Sequence, residues 1–280
     1  MTDTTAEAVQ GHGHGGGGGH GHDAAHAENP FLAHHFDTPA QQFETGKFGI
    51  WVFLVTEILF FSGLFCAYTV YRTLDPDTFE WGHYFLDTKL GAVNTSVLIL
   101  SSLTAAWAVR NAQRREYRGL IINILLTLAC ASTFMVVKYE EYSHKIHVGL
   151  LPGKHFEPEE NVWELPSYWK KNGAPPEGLL DEKPKPEAVA AAKKIMTRGH
   201  PYLFEPPPNA HRFFAIYFCM TGLHGIHVLA GMAIWIWMLV KAVKKQFGPN
   251  YFGPVDFSAL YWHLVDLIWI YLFPLLYLID

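Results

Sequence analysis

Residues 213–240, FFAIYFCMTGLHGIHVLAGMAIWIWMLV, run for 28 positions without an aspartate, glutamate, lysine or arginine. A helix needs only about 20 apolar residues to cross the hydrocarbon core of a bilayer, so this stretch predicts a tilted transmembrane helix. Its centre, MTGLHGIHVLAG at residues 220–231, sets His224 and His227 three residues apart, spacing that points to one helix face. Gly222, Gly225 and Gly231 are expected to let a neighbouring helix approach that face, as small residues do where no hydrophobic force drives helices together. A second polar pair follows in YWHLVDLIW, where His263 and Asp266 stand one turn apart within the apolar run Phe257–Ile279. Ionisable groups are costly in hydrocarbon, so both pairs are expected to face the bundle interior or a wet cleft.

Three more apolar runs precede this one: Phe48–Tyr71, Leu90–Val109 and Gly119–Val137. The first carries a single formal charge, Glu57, which at such depth is expected to stay neutral unless a cation or water lies beside it. It is either a carboxylic acid hydrogen-bonded to a neighbouring helix or a residue that handles protons or lines a lipid cleft. In the second run Asn94, Thr95, Ser96, Ser101, Ser102 and Thr104 read as polar glue between helices. Five spans make the expected fold an all-α integral membrane protein, a five-transmembrane-helix bundle. Residues 1–46 form a tail and surface lead-in, 47–145 helices one to three, 146–210 an extramembrane insertion, and 211–280 helices four and five.

The composition agrees. Half of the 280 residues are hydrophobic and 15% are aromatic, yet the mean hydropathy is only slightly positive, which implies membrane spans joined by long polar segments. A net charge of −5 with scattered basic residues leaves no nucleic-acid footprint. Cys66, Cys130 and Cys219 occupy separate runs and read as small hydrophobes. The N-terminal GHGHGGGGGHGH lacks the basic start and apolar middle of a signal peptide and is expected to be disordered. Its His12, His14, His20 and His22 are potential metal ligands, but glycine flexibility would make any such site loose.

Between Lys138 and Arg212 the chain is polar and rich in proline, too much so to build its own core. One short helix is expected over Pro186–Met196, and the segment should pack over the outer ends of the spans. Arg110, Arg114, Arg115 and Arg118 in one short loop, and Lys241, Lys244 and Lys245 in another, mark both as cytoplasmic. With five alternating helices this puts the N-terminus inside and Asp280 outside.

Four segments, WVFLVTEILFFSGLFCAY (51–68), KYEEY (138–142), TGLHGIHVLAG (221–231) and YWHLVDLIWIYLFPLLY (261–277), resemble in this order subunit III of haem–copper cytochrome c oxidases. The pattern is similar to the bacterial five-helix form, and AHHFDTPAQQFETGKFG (33–49) to the lead-in of caa3-type enzymes. The resemblance implies a subunit of the bacterial inner membrane without haem or copper of its own. It would be bound to oxidase subunits I and II, which carry those cofactors, would hold structural phospholipid, and would sustain proton uptake during oxygen reduction. It further implies that Glu57 matches a buried carbodiimide-reactive glutamate, and that His224, His227, His263 and Asp266 match polar helix positions. Lys241 stands where many relatives have a lipid-phosphate arginine; a lysine keeps the charge and loses the bidentate fork. Other readings are a component of a quinol oxidase or nitric oxide reductase complex, a membrane proton or ion carrier, or a metal-dependent membrane enzyme. The last is weakened by the absence of HExxH and by the small number of membrane histidines.

Overall fold

Five helices of the computed structural model are long and apolar enough to cross a membrane. The structure describes residues 36, 38–153, 156–181, 183–199, 206–249 and 251–279, so the histidines of the N-terminal tail and Asp280 lie outside the described residues. Among the described residues the regular structure is helical apart from two isolated bridges.

The first span, α1 (Pro39–Leu74), starts nine residues ahead of the apolar run that announces it. Its start signal is local: Pro39 occupies the first turn and the Thr38 side chain accepts the Gln41 amide at 3.2 Å. A short α2 (Pro76–His83) follows, between the first two apolar runs. The second span, α3 (Thr88–Gln113), is capped by Asp87, whose carboxylate accepts the amides of Lys89 at 2.8 Å and Leu90 at 3.3 Å. The third, α4 (Tyr117–His147), runs ten residues beyond the apolar run, which ends at Val137. After α5 (Pro166–Asn172) and α6 (Pro186–Gly199) come the last two spans, α7 (Ala210–Val243) and α8 (Gly253–Tyr277).

The most enclosed span is α8, around which α3, α7 and α1 pack, while α4 joins α3 to α7. The predicted hydroxyl glue is present: Trp262 Nε1 donates to Ser101 Oγ at 3.0 Å, Trp269 Nε1 to Thr95 Oγ1 at 3.1 Å, and Thr104 and Thr127 share a hydrogen bond of 2.7 Å. Of the three glycines singled out, only Gly231 makes a close approach, since a Cβ there would stand 2.7 Å from the Trp262 ring. Nothing lies near Gly225, and Gly222 meets only the Tyr142 hydroxyl at 3.8 Å. The correction follows from azimuth: Gly231 is six positions on from Gly225, about 600° of helix, so the two face directions about 120° apart.

One end of the bundle gathers both basic loops. Arg115 and Lys245, each in left-handed conformation just past a helix, lie in turns that touch, because the Tyr117 hydroxyl donates to the carbonyls of Lys245 at 3.2 Å and Phe247 at 2.8 Å. The other end carries the segment between α4 and α7. Ser167 Oγ donates to the Tyr84 carbonyl at 2.8 Å, Asn172 Nδ2 to the Tyr84 hydroxyl at 3.2 Å, and Phe156 packs on Trp81 and Phe214. Tyr168 and Trp169 of α5 are buried here, as are Ala188, Ala192 and Met196, spaced four apart on one face of α6. An Arg212–Asp75 ion pair of 2.6 Å, half-exposed, ties the start of α7 to the end of α1 at this same level.

Candidate functional site

The two histidines of α7 do not act together. His224 is fully buried against Phe134 of α4 and Trp269 of α8, with centroids 5.7 and 5.1 Å away, and its two ring nitrogens have no hydrogen-bond partner among the described residues. His227 turns toward α1 instead. Three residues are 300° of helix, so the shared face predicted from spacing is in fact two adjacent faces 60° apart, and each meets a different neighbour.

His227 pairs with Glu57, Nε2 to Oε2 at 2.9 Å, both side chains 18% exposed at the seam between α1 and α7. Its other nitrogen, Nδ1, stands 2.8 Å from the Leu223 carbonyl, which can only accept. Nδ1 therefore carries a hydrogen, and the bond between Nε2 and Oε2 contains one proton. The pair is either a carboxylic acid donating to a neutral imidazole or an imidazolium donating to a carboxylate. Both forms are neutral as a whole, which is what a hydrocarbon environment requires. Phe60 and Phe61 flank the imidazole, and the Tyr261 hydroxyl donates to the His227 carbonyl at 3.2 Å.

On α8, Asp266 is buried and His263 half-buried. Ser101 Oγ lies 3.5 Å from Asp266 Oδ2 but 2.7 Å from the Leu98 carbonyl, so its single proton serves the carbonyl better. Asp266 Oδ1 has no hydrogen-bond donor among the described residues. His263 Nδ1 shares a 2.5 Å hydrogen bond with Ser102 Oγ. Lys241 stands near the basic end of α7, its ammonium 4.0 Å above the Trp237 ring and 3.3 Å from the Tyr251 hydroxyl.

The charged group that sequence reasoning passed over lies on the extension of α4. Glu141 Oε2 accepts Lys138 Nζ at 2.6 Å, and Oε1 accepts Lys145 Nζ at 2.8 Å, the Tyr217 hydroxyl at 3.0 Å and the Tyr277 hydroxyl at 2.6 Å. Lys138 also donates to the Tyr277 hydroxyl at 2.6 Å and lies 4.5 Å over the Trp269 ring. Nearby, Tyr142 and Thr221 hydroxyls are hydrogen-bonded. The network joins the last turns of α4 and α8 to the first turns of α7. Its signal was available: Lys138, Glu141 and Lys145 at spacings of three and four put opposite charges on one helix face.

The three membrane imidazoles point to three different interfaces, and among the described residues no group of three or more histidine, cysteine, aspartate or glutamate side chains could hold a metal ion. What the arrangement can do is hold a proton at mid-membrane, at Glu57–His227, and lock helices by buried polar contacts.

A family model described as cytochrome c oxidase subunit III matches residues 23–148 and 210–280. The unmatched stretch between them is the segment that covers one end of the bundle. Similar proteins include quinol oxidase subunit 3 of Bacillus subtilis, 25% identical over 249 residues, covering 85% of this chain and 91% of that one. Cytochrome c oxidase subunit 3 of Corynebacterium diphtheriae is 25% identical over 234 residues, covering 83% and 87%. A probable cytochrome c oxidase subunit 3 of Nocardia farcinica is 22% identical over 231 residues, covering 82% and 86%.

Proposed function

Since the chain belongs to the cytochrome c oxidase subunit III family, and so is a multi-pass membrane subunit of a haem–copper oxidase complex, we propose that it supports the redox subunits without carrying their chemistry. The observation that carries this reading is the divergence of its imidazoles. His224 is enclosed by aromatic rings, His227 is committed to Glu57, and His263 to Ser102, so no two offer free nitrogens to one point. Haem and copper would then reside in subunits I and II, its partners in the assembly.

Its contribution is structural and protonic. Glu57 and His227 hold one proton at the seam of α1 and α7, and Asp266, His263 and His224 are further polar groups at membrane depth. Lys241, braced by Trp237 and Tyr251, presents a cation at the basic end where a phospholipid phosphate lies. That end is read as cytoplasmic from its arginines and lysines, in a bacterial inner membrane with the N-terminus inside. The relatives bear quinol oxidase and cytochrome c oxidase titles alike, and the proposal concerns what such assemblies have in common: sustained proton uptake during oxygen reduction.

The test is oxygen consumption followed for many minutes in the purified complex with and without the subunit. Removal is expected to leave haem and copper content intact and the initial rate within about one order of magnitude, or ~1.4 kcal/mol of barrier. The rate then decays over successive turnovers faster than in the complete complex. Immediate and total loss of activity with the metals in place would overturn the supporting role.

A further inference from the structure

The large apolar side chains of α8 that leave the bundle, Leu267, Ile270 and Tyr271, fall on one helix face. On one side of this face α3 touches α8 through Ser102 at His263 and Ser101 at Asp266. On the other, α1 touches it through Phe65 on Tyr271, and through Tyr68, whose hydroxyl donates to the Leu275 carbonyl. Both helices pack on α8 and not along one another, so they form the walls of a groove with α8 as its floor. His263 lies in that floor, half-buried, with Nδ1 held by Ser102 and Nε2 met by no described residue.

Depth decides what belongs there. His263 is the eleventh of the 25 residues of α8, about 15 Å from its start at Gly253 and so near the middle of a hydrocarbon core about 30 Å thick. Lipid phosphates and glycerol esters lie at the edges of that core, and acyl chains offer neither donor nor acceptor. A side chain carried by a spanning helix reaches that depth with its apolar neighbours packed around it, which a phospholipid headgroup does not. We propose that the groove between α1 and α3 receives a membrane-spanning helix of another oxidase subunit, which sets a hydrogen-bonding side chain against His263 Nε2. Leu267 and Ile270, one and two turns beyond His263, supply the apolar packing. This rests on the chain being an oxidase subunit, and adds which face docks and which residue anchors it.

The experiment is photo-crosslinking in native membranes from a Cys66→Ala, Cys130→Ala, Cys219→Ala background. A benzophenone attached through Leu267→Cys or Ile270→Cys reports on the groove; one attached through Ile226→Cys or Trp237→Cys, exposed on α7, is the control. Groove attachments are expected to capture a haem-bearing membrane subunit and the α7 attachments are not. Capture from α7 alone, or capture of phospholipid alone from the groove, overturns the docking face and leaves the oxidase assignment standing. If no haem protein accompanies the tagged chain on purification even before crosslinking, the oxidase assignment falls and takes the inference with it. The anchor is tested separately by retention of the subunit in detergent. His263→Leu should weaken retention roughly 3- to 20-fold, the range of one interhelical hydrogen bond in a membrane, while His263→Gln restores much of it. Retention of the leucine variant equal to that of the unsubstituted protein overturns the anchor.

Discussion

Replacing Glu141 with leucine asks whether the charged network on α4 is a lock or an ornament. The carboxylate has a side chain only 7% exposed and accepts four hydrogen bonds, two of them from lysines that are themselves 9% and 3% exposed. Its removal leaves two ammonium groups without their anion and the Tyr217 and Tyr277 hydroxyls without that acceptor. Breaking a buried ion pair by deleting one partner costs about 3–5 kcal/mol, and an orphaned buried hydroxyl adds about 1–3 kcal/mol. A loss of at least ~3 kcal/mol is more than about a hundredfold in the folding equilibrium. At roughly 2–4 °C per kcal/mol for a chain of this size, melting of the purified complex in mild detergent should fall by about 6 °C or more. Glu141→Leu combined with Lys138→Met and Lys145→Met should recover most of the loss, because a buried ion pair replaced whole by apolar residues is often neutral or stabilising. A shift under about 1 kcal/mol for Glu141→Leu, or a triple variant no better than the single, would refute the reasoning.

Three further outcomes are expected. A cysteine at Arg115 should be shielded from impermeant reagents in intact cells while one at Pro175 labels, and the reverse pattern would sink the orientation with both basic loops inside. A hydrophobic carbodiimide should modify the peptide containing Glu57 and spare exposed glutamates such as Glu177; mass spectrometry of the digested protein reads this, and labelling spread over the outer segment would count against a protonated, membrane-facing Glu57. Gly231→Val should cost about 1–3 kcal/mol by overpacking against Trp262, whereas Gly225→Ala, with open space around it, should be neutral or slightly stabilising; equal effects in a melting assay would contradict the close approach of α7 to α8.

What could be read from the chain was set by hydrocarbon. A run such as 213–240 has one cheap conformation in a bilayer, so the five spans and their order were legible without tertiary contacts. Helix ends were less so. The start of α1 at Pro39 needed only attention to Thr38 and Pro39, but the continuation of α4 through Lys138 and Glu141 depends on Tyr217 and Tyr277 arriving from α7 and α8. A hydropathy argument stops at Val137 because it prices each charge alone. The candidate site shows the same division. Depth identified Glu57, His224, His227, His263 and Asp266 as exceptional, yet nothing local says that His227 meets Glu57 while His224 meets aromatic rings. That choice is made by 60° of azimuth and by which helix lies where.

The Glu57–His227 pair also has an electrical meaning. Glu57 is the nineteenth of the 36 residues of α1, so a proton that enters the pair from either aqueous side crosses on the order of half the membrane field, about 1 kcal/mol for each 100 mV. A proton passing from oxygen to nitrogen within the 2.9 Å bond moves about 1 Å of a core about 30 Å thick, and its coupling to the same field is less than about 0.1 kcal/mol per 100 mV. Exchange inside the pair is therefore blind to the membrane potential while loading it is not. Local hydrogen bonding thus sets the internal position of this proton, and a membrane potential would bear only on whether a second one arrives.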